Sequence, residues 1–298
     1  MFKLHIPVMV GEVIENLALR PGMIVVDATM GTAGHSEEIL KRIMPGGRLI
    51  GIDRDEESLK LCRERLKDFE GAVDFVHANF VELDEVLKRL NIKSVDGVLF
   101  DLGVSSFQLS DPERGFSFQN EGPLDMRLDR ESYISAYDLV NNLNEDEIST
   151  LLWNFGQERW HNRIAHLLVQ EREKHPISTT RELADIVARS IPSRFRHSYY
   201  RIHPATRTFQ AVRIAVNREL ETLEVAFGKA VTALNRGGRI CVISFHSLED
   251  RVAKHTFRRM ALEGLIDIKT PKPLVPARGE IESNPSSRSS KLRAAERL

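Results

Sequence analysis

Three aspartates in the first third of the chain sit where an α/β fold does chemistry. Asp27 closes an apolar run that begins at Met23, Asp53 closes the run from Arg48, and Asp101 closes the run from Val95. The first run leads into Asp27-Ala28-Thr29-Met30-Gly31-Thr32-Ala33-Gly34-His35-Ser36. Glycines there let the backbone approach a ligand at the carboxyl edge of a sheet. A dinucleotide fold wants G-x-G-x-x-G, which brings a pyrophosphate onto a helix N-terminus. This loop offers Gly31-x-x-Gly34 with an acid just before it. An acid is a poor neighbour for pyrophosphate but tolerates the ammonium of a methionine moiety. The loop therefore favours S-adenosylmethionine over a nicotinamide dinucleotide, the bland alternative being a tight turn with no ligand.

Asp53 lies roughly 20 residues beyond the loop, the spacing at which an acid accepts hydrogen bonds from a ribose diol. Its bland alternative is a solvated carboxylate beside Arg54 and Asp55. Phe80 follows the third strand, where a ring either packs on an adenine or serves as plain core. Asp101 runs on into Leu102-Gly103-Val104-Ser105-Ser106 at the edge that would face a transferable methyl group. An exocyclic amine on a base is a weak nucleophile, because its lone pair is delocalised into the ring. A carboxylate accepting one N–H localises that lone pair. Asp101 is the available catalytic carboxylate, for the amine, for the methionine end of the cofactor, or for both. His246 ends a later strand at the same edge and reads more simply as structural than as catalytic.

The elements that must position these residues follow from hydrophobic periodicity. Short runs rich in Val and Ile (23–27, 48–53, 73–77, 95–101) alternate with amphipathic stretches (36–44, 56–69, 81–90), the pattern of a parallel sheet with right-handed crossovers. From Gln108 to Ala205 the pattern is helical instead, with helices expected at 146–155, 159–174 and 180–191. The sheet pattern resumes with one long helix over 206–234, a fifth strand at 239–245 and a helix over 248–260. Gly46-Gly47 and Gly237-Gly238 each read as a helix end before a strand. The expected fold is a doubly wound, Rossmann-like class I methyltransferase sheet (residues 1–107 and 206–298) carrying an all-helical insertion (108–205). Pro271 to Ser290 reads as a long, partly mobile loop, and Lys291–Arg297 as an edge strand or a tail. Trp153 and Trp160 read as packing residues of the insertion.

At 298 residues, 29% charged and with a formal net charge of −1, the chain is not a protein that coats nucleic acid everywhere. A local basic stretch is nevertheless present. Between Arg189 and Arg218 it carries Arg194, Arg196, Arg201, Arg207 and Arg213 with no Asp or Glu, interleaved with Phe195, Tyr199, Tyr200 and Phe209. Arginines track phosphates and aromatic faces stack unpaired bases, so Arg194, Arg196, Tyr199, Tyr200, Arg201 and Arg207 are the candidate RNA contacts. An exposed basic face over core aromatics is the alternative. Cys62 and Cys241 are far apart, in no metal-like spacing, and fit reduced thiols in a cytoplasmic protein. Neither a secretory leader nor a membrane span is expected, and no metal site.

The residues also match a family. Asp27-x-Thr29-x-Gly31-x-x-Gly34-His35-Ser36, the run Val95 to Ser106 and Ser244-Phe245-His246-Ser247-Leu248-Glu249-Asp250-Arg251 resemble the MraW/RsmH methyltransferases. So do His5-Ile6-Pro7-Val8, Arg114-Gly115-Phe116-Ser117-Phe118, Gly122-Pro123-Leu124-Asp125-Met126-Arg127, the stretch His203 to Arg213 and Arg288 to Arg293. The resemblance implies methylation of the N4 amine of a cytidine in 16S ribosomal RNA of the small subunit, at the decoding centre. The product would be S-adenosylhomocysteine. It also implies a cofactor shell of Ala33, Gly34, His35, Asp53, Phe80, Asp101 and Gln108, beside the loop's own Gly31. Thr32-Ala33 departs from relatives that are richer in glycine there. Two other readings stand beside this one: a catalytically silent RNA-binding assembly protein and an NAD-dependent oxidoreductase. Whether the substrate is naked RNA or the assembled subunit, and whether the protein is a monomer or a homodimer, is left open by the sequence.

Overall fold

The computed structural model describes residues 6–192 and 203–298. Its chain divides into two compact units, Met1–Ser105 with Leu220–Leu298, and Ser106–Glu219.

The first unit opens with helix α1 (Val10–Leu17), which periodicity reading had passed over, and then alternates strand and helix. The order is β1 (Ile24–Asp27), α2 (Gly34–Ile43), β2 (Arg48–Asp53), α3 (Glu56–Arg65), β3 (Val73–His77), α4 (Leu83–Arg89) and β4 (Val95–Asp101). Each strand pairs parallel to its neighbours in the order β3-β2-β1-β4. Alternation along the strands explains why both faces are covered. Val26, Ile50, Ile52, Val98 and Phe100 enter one core with the helices that precede and follow β5. Val25, Leu49, Leu99, Cys241 and Ile243 enter the opposite core with α1, α2 and α3. The sheet is thus doubly wound, with the carboxyl ends of β1, β2 and β4 at one edge.

Its far half differs from expectation in three places. Strand β5 (Leu234–Ser244) starts earlier than expected, and the register on β4 jumps from Val95↔Leu234 to Gly97↔Arg239. Gly237-Gly238 therefore lies in this bulge and does not close a helix. The segment Lys291–Arg297 is strand β7, an interior strand antiparallel to β5, and the edge belongs to β6 (Ile266–Ile268). A three-residue strand carries too little alternation to be read from sequence. The stretch Pro271–Ser290 is not plain loop. It holds helix α13 (Arg278–Ser283) and a 3₁₀ turn over Pro285–Ser289, with Ser287 and Ser290 buried. Glu280 Oε1 accepts the Met9 N–H at 2.7 Å and Asn284 Nδ2 donates to the Ile6 carbonyl at 3.0 Å, which ties this stretch to the N-terminal segment.

The second unit is helical: α5 (Ser106–Ser110), α6 (Ala136–Asn142), α7 (Glu145–Gly156), α8 (His161–Arg172), α9 (Thr180–Ser190) and α10 (Thr206–Asn217). Capping boxes at Ser135, Asn144 and Thr179 set the starts of α6, α7 and α9. The expected long helix over 206–234 is two helices. Arg218 takes a left-handed φ of 50° between α10 and α11 (Glu219–Ala233). Buried Asn217 explains the stop: its Oδ1 accepts the Leu128 N–H at 2.8 Å, and its Nδ2 donates to the carbonyls of Met126 at 2.8 Å and Arg213 at 2.9 Å. An apolar stripe that resumes one residue later hides such a break from periodicity. Buried Arg114 donates to the Leu128 carbonyl at 2.9 Å and to that of Arg127 at 3.1 Å, so the Arg114-Gly115 and Asp125-Met126-Arg127 motifs form one knot. Of the two tryptophans, Trp153 is exposed and packs at a tilt against the His161 ring.

Candidate active site

The loop after β1 is built from the inside. Asp27, 1% exposed, turns away from the sheet edge, accepting Ser36 Oγ at 2.6 Å and the Thr29 N–H at 3.3 Å. Burial pushes its carboxyl above the usual range, partly offset by the Ser36 hydroxyl. Each Asp27 oxygen thus accepts one hydrogen bond from within its own loop and helix. Gly31 takes φ 54°, and a Cβ there would meet nothing closer than the Ser105 Cβ at 3.7 Å, so the loop is open on that side. Gly34 is close-packed instead: a Cβ would fall 3.0 Å from Pro7. Ala33 holds a left-handed φ of 61° just before α2, the conformation that glycine adopts without strain. No side chain caps α2. Its leading N–H groups and positive dipole end are thus offered to an anion such as a carboxylate.

Asp53 faces this loop. Its Oδ2 accepts the Gly31 N–H at 2.7 Å and its Oδ1 accepts the Asp55 N–H at 2.9 Å. A carboxylate oxygen accepts more than one hydrogen bond, so lone pairs are left over for hydroxyl donors. Burial, helped by the charges of Asp55 and Asp27, pushes the Asp53 carboxyl up to about 7 against the two backbone donors.

Asp101 ends β4 one strand away. Its backbone N–H donates to Thr29 Oγ1 at 2.6 Å, which fixes the strand end to the loop. Its Oδ2 lies 3.3 Å from His35 Nδ1, while its Oδ1 is buried with no hydrogen-bond partner. Such an atom is costly unless something donates to it. His35, 5% exposed, has its other nitrogen, Nε2, 2.8 Å from the Val8 carbonyl. Burial pulls the imidazole down, but the Asp101 hydrogen bond and the charges of Asp101 and Asp27 outweigh it, and the ring ends above its ordinary value.

Gly31, Ala33, Gly34, His35, Asp53 and Asp101 are thus brought to one edge. Phe80, half-buried on the turn after β3, packs edge-on against Phe100 with centroids 5.8 Å apart. Gln108 is a buried residue of α5 in the second unit. His246 is the N-cap of helix α12 (Ser247–Leu262), paired with buried Glu249 in a capping box. Arg207 is exposed on α10 and donates to the Gln157 carbonyl at 3.2 Å. Arg213, from the same basic stretch, is bound to Glu219 at 2.8 Å. Phe209 is buried against Phe118. Arg194, Arg196, Tyr199, Tyr200 and Arg201 lie outside the described residues. Sequence reasoning missed Thr29, Val8 and the uncapped start of α2. Val8 and Thr29 stood inside quoted motifs, but only tertiary contact shows what they hold.

A parallel sheet with an antiparallel strand inserted beside its last parallel member, and an acid at the carboxyl end of β2 reaching the β1 loop, define a Rossmann-like methyltransferase scaffold. The MraW methylase family model matches residues 2–298, and the chain belongs to that family. The Ribosomal RNA small subunit methyltransferase H of Clostridioides difficile is 44% identical, over 99% of each chain. Its namesake from Trichlorobacter lovleyi is 48% identical over 99% of this chain and 98% of its own. Among solved structures, an rRNA methylase from Streptococcus thermophilus covers 97% of this chain and 92% of its own at 13% identity and a TM-score of 0.41, too loose a likeness to argue from. Membership of a methylase family leaves no place for the oxidoreductase reading.

Proposed function

We propose that the chain methylates the N4 amine of a cytidine in 16S ribosomal RNA at the decoding centre, with S-adenosylmethionine as donor. The observation that carries the reading is Asp101: a carboxylate at the end of β4 with one oxygen held by His35 and the other buried without a partner. When bound, the cofactor supplies an electrophilic methyl group on a sulfonium. Gly31, Ala33 and Gly34 shape the loop around it, the start of α2 receives its carboxylate, and Asp53 accepts its ribose hydroxyls. Phe80 offers an apolar face to the adenine. Asp101 Oδ1 accepts one N–H of the target amine, which returns electron density to the nitrogen. Transfer itself disperses charge, so positioning and exclusion of water are the protein's main contributions.

RNA recognition falls to the helical unit Ser106–Glu219 and the basic stretch towards its end. Arg194, Arg196, Arg201 and Arg207 track phosphates while Tyr199 and Tyr200 stack bases. A target base must leave its stack to reach a buried methyl group. The partner is the small subunit or its RNA, and the compartment the cytoplasm; among the described residues no helix is long and apolar enough to cross a membrane. Purified chain is incubated with labelled cofactor and, in parallel, small-subunit rRNA and assembled small subunits, whose RNA is then digested for mass spectrometry. N4-methylcytidine at one position supports the proposal. Label on another base, or none, overturns it and leaves the silent assembly protein as the better reading.

A further inference from the structure

His35 is the one histidine of the site, and both its nitrogens face atoms that only accept. The Val8 carbonyl, 2.8 Å from Nε2, has no proton to give. Nε2 must therefore carry hydrogen. Asp101 Oδ2 lies 3.3 Å from Nδ1. A neutral ring with its proton on Nε2 would aim the Nδ1 lone pair at a carboxylate oxygen. The charged groups that act most on the ring, Asp101 from β4 and Asp27 from β1, are both acids. The ring is 5% exposed, which leaves little room for solvent to mediate the contact. The shared proton could rest on Asp101 only by reversing the ordinary acidity order of a carboxylic acid and an imidazolium.

We propose that His35 acts as a cation and a positioning residue for methyl transfer, its Nδ1–H clamping Asp101 Oδ2 so that only Oδ1 is free for the substrate amine. The two hydrogen bonds divide the work. Val8, just ahead of α1, sets which nitrogen points back, and Asp101 receives the other. Any contact from His35 to the cofactor must then come from its backbone, since neither ring nitrogen is left over. Burial disfavours the charged ring, while the two acids favour it more strongly, in line with its elevated pKa. The positioning role rests on the methyltransferase reading; the charge state of the ring does not.

That separation sets the experiment. Isotope-labelled histidine in the full-length protein reports by NMR whether each ring nitrogen carries a proton, and His35→Asn assigns the signal by its disappearance. At about pH 7.5 the expected result is two protonated nitrogens, with Asp101→Asn lowering the His35 inflection by at least about one pH unit. A neutral ring at that pH, or an inflection unmoved by Asp101→Asn, overturns the proposal with no substrate in the tube. In the methylation assay, His35→Ala should lower kcat about 100-fold, the cost of a carboxylate out of place, with a smaller change in KM for the cofactor. His35→Asn keeps an N–H donor near the Nδ1 position and cannot titrate. It should recover most of kcat and lack the alkaline loss of activity expected of the wild type. Failure of that rescue, or an unchanged alkaline limb, refutes the positioning role. Wild-type protein that methylates nothing refutes the functional reading and, with it, the role, while the NMR result stands on its own.

Discussion

If Asp53 grips the cofactor's ribose as proposed, binding should release a proton, and the size of the effect follows from the surroundings of Asp53. Its carboxyl is pushed up to about 7 mainly by burial. Ribose hydroxyls are best accepted by the carboxylate, because the neutral acid brings a proton of its own to a place that already holds two donors, the N–H groups of Gly31 and Asp55. If only the ionised form binds, the available fraction is about one-eleventh at pH 6 and about ten-elevenths at pH 8. Affinity should therefore tighten up to about tenfold across that interval, about 1.4 kcal/mol, and level off above it. Methylthioadenosine is the ligand of choice: it has the ribose diol but no amino-acid end to titrate or to touch Asp101 and His35. Calorimetry at several pH values, in two buffers of unlike ionisation heat, reads both the affinity and the proton count. Near pH 6 binding should release close to one proton. Asp53→Asn, which must turn an amide N–H toward one of the two backbone donors, should bind more weakly but without pH dependence. A dissociation constant flat between pH 6 and 8 in the wild type, with equal heats in both buffers, would refute the pairing of the ribose assignment with the elevated pKa.

Three further outcomes are expected. Asn217→Ala strips the Leu128 N–H and the Met126 carbonyl of their partner inside the second unit, and should cost roughly 2–4 kcal/mol in denaturant unfolding. Gly115→Ala would set a Cβ 2.3 Å from the Pro123 carbonyl oxygen at a left-handed φ of 68°, and should destabilise by roughly 2–4 kcal/mol, read as a lower Tm. Charge reversal at Arg194 and Arg196 should weaken RNA binding and flatten its salt dependence while cofactor affinity holds; equal RNA affinity would make the stretch a solvated face.

Much of the sheet was legible because buried parallel strands write themselves as short apolar runs. β2, β3 and β4 fall where periodicity puts them, and with them Asp53 and Asp101. The misses share a cause. Asn217, β6 and the bulge at Gly237 depend on partners distant in sequence, or on elements too short to carry a period. The same holds inside the site. Asp27, Asp53 and Asp101 look equivalent as strand-ending acids, and sequence alone could say of Asp27 only that an acid is tolerable there. Packing separates them: Ser36 takes Asp27, two backbone N–H groups leave Asp53 with lone pairs, and His35 occupies half of Asp101.

The site's proton affinity also bears on when the protein most needs its cofactor. Between the unfolded value of 3.8 and about 7, folded Asp53 holds a proton that the unfolded chain has lost, so stability declines as pH rises through that window. His35 acts in the same sense: its contribution is complete below 6.5 and disappears as pH passes the higher folded value. The cofactor-free protein should then be less stable at about pH 8 than at about pH 6 on account of both groups. Ligand binding counters this by about 2.7 kcal/mol at a hundred times the dissociation constant. If that constant tightens tenfold over the interval, a fixed, near-saturating concentration of methylthioadenosine should protect by up to about 1.4 kcal/mol more at pH 8 than at pH 6. Thermal unfolding with and without ligand measures the difference directly. Protection that is equal at the two pH values would mean that Asp53 is already ionised in the free protein, and the proton coupling between fold and ligand would have to be abandoned.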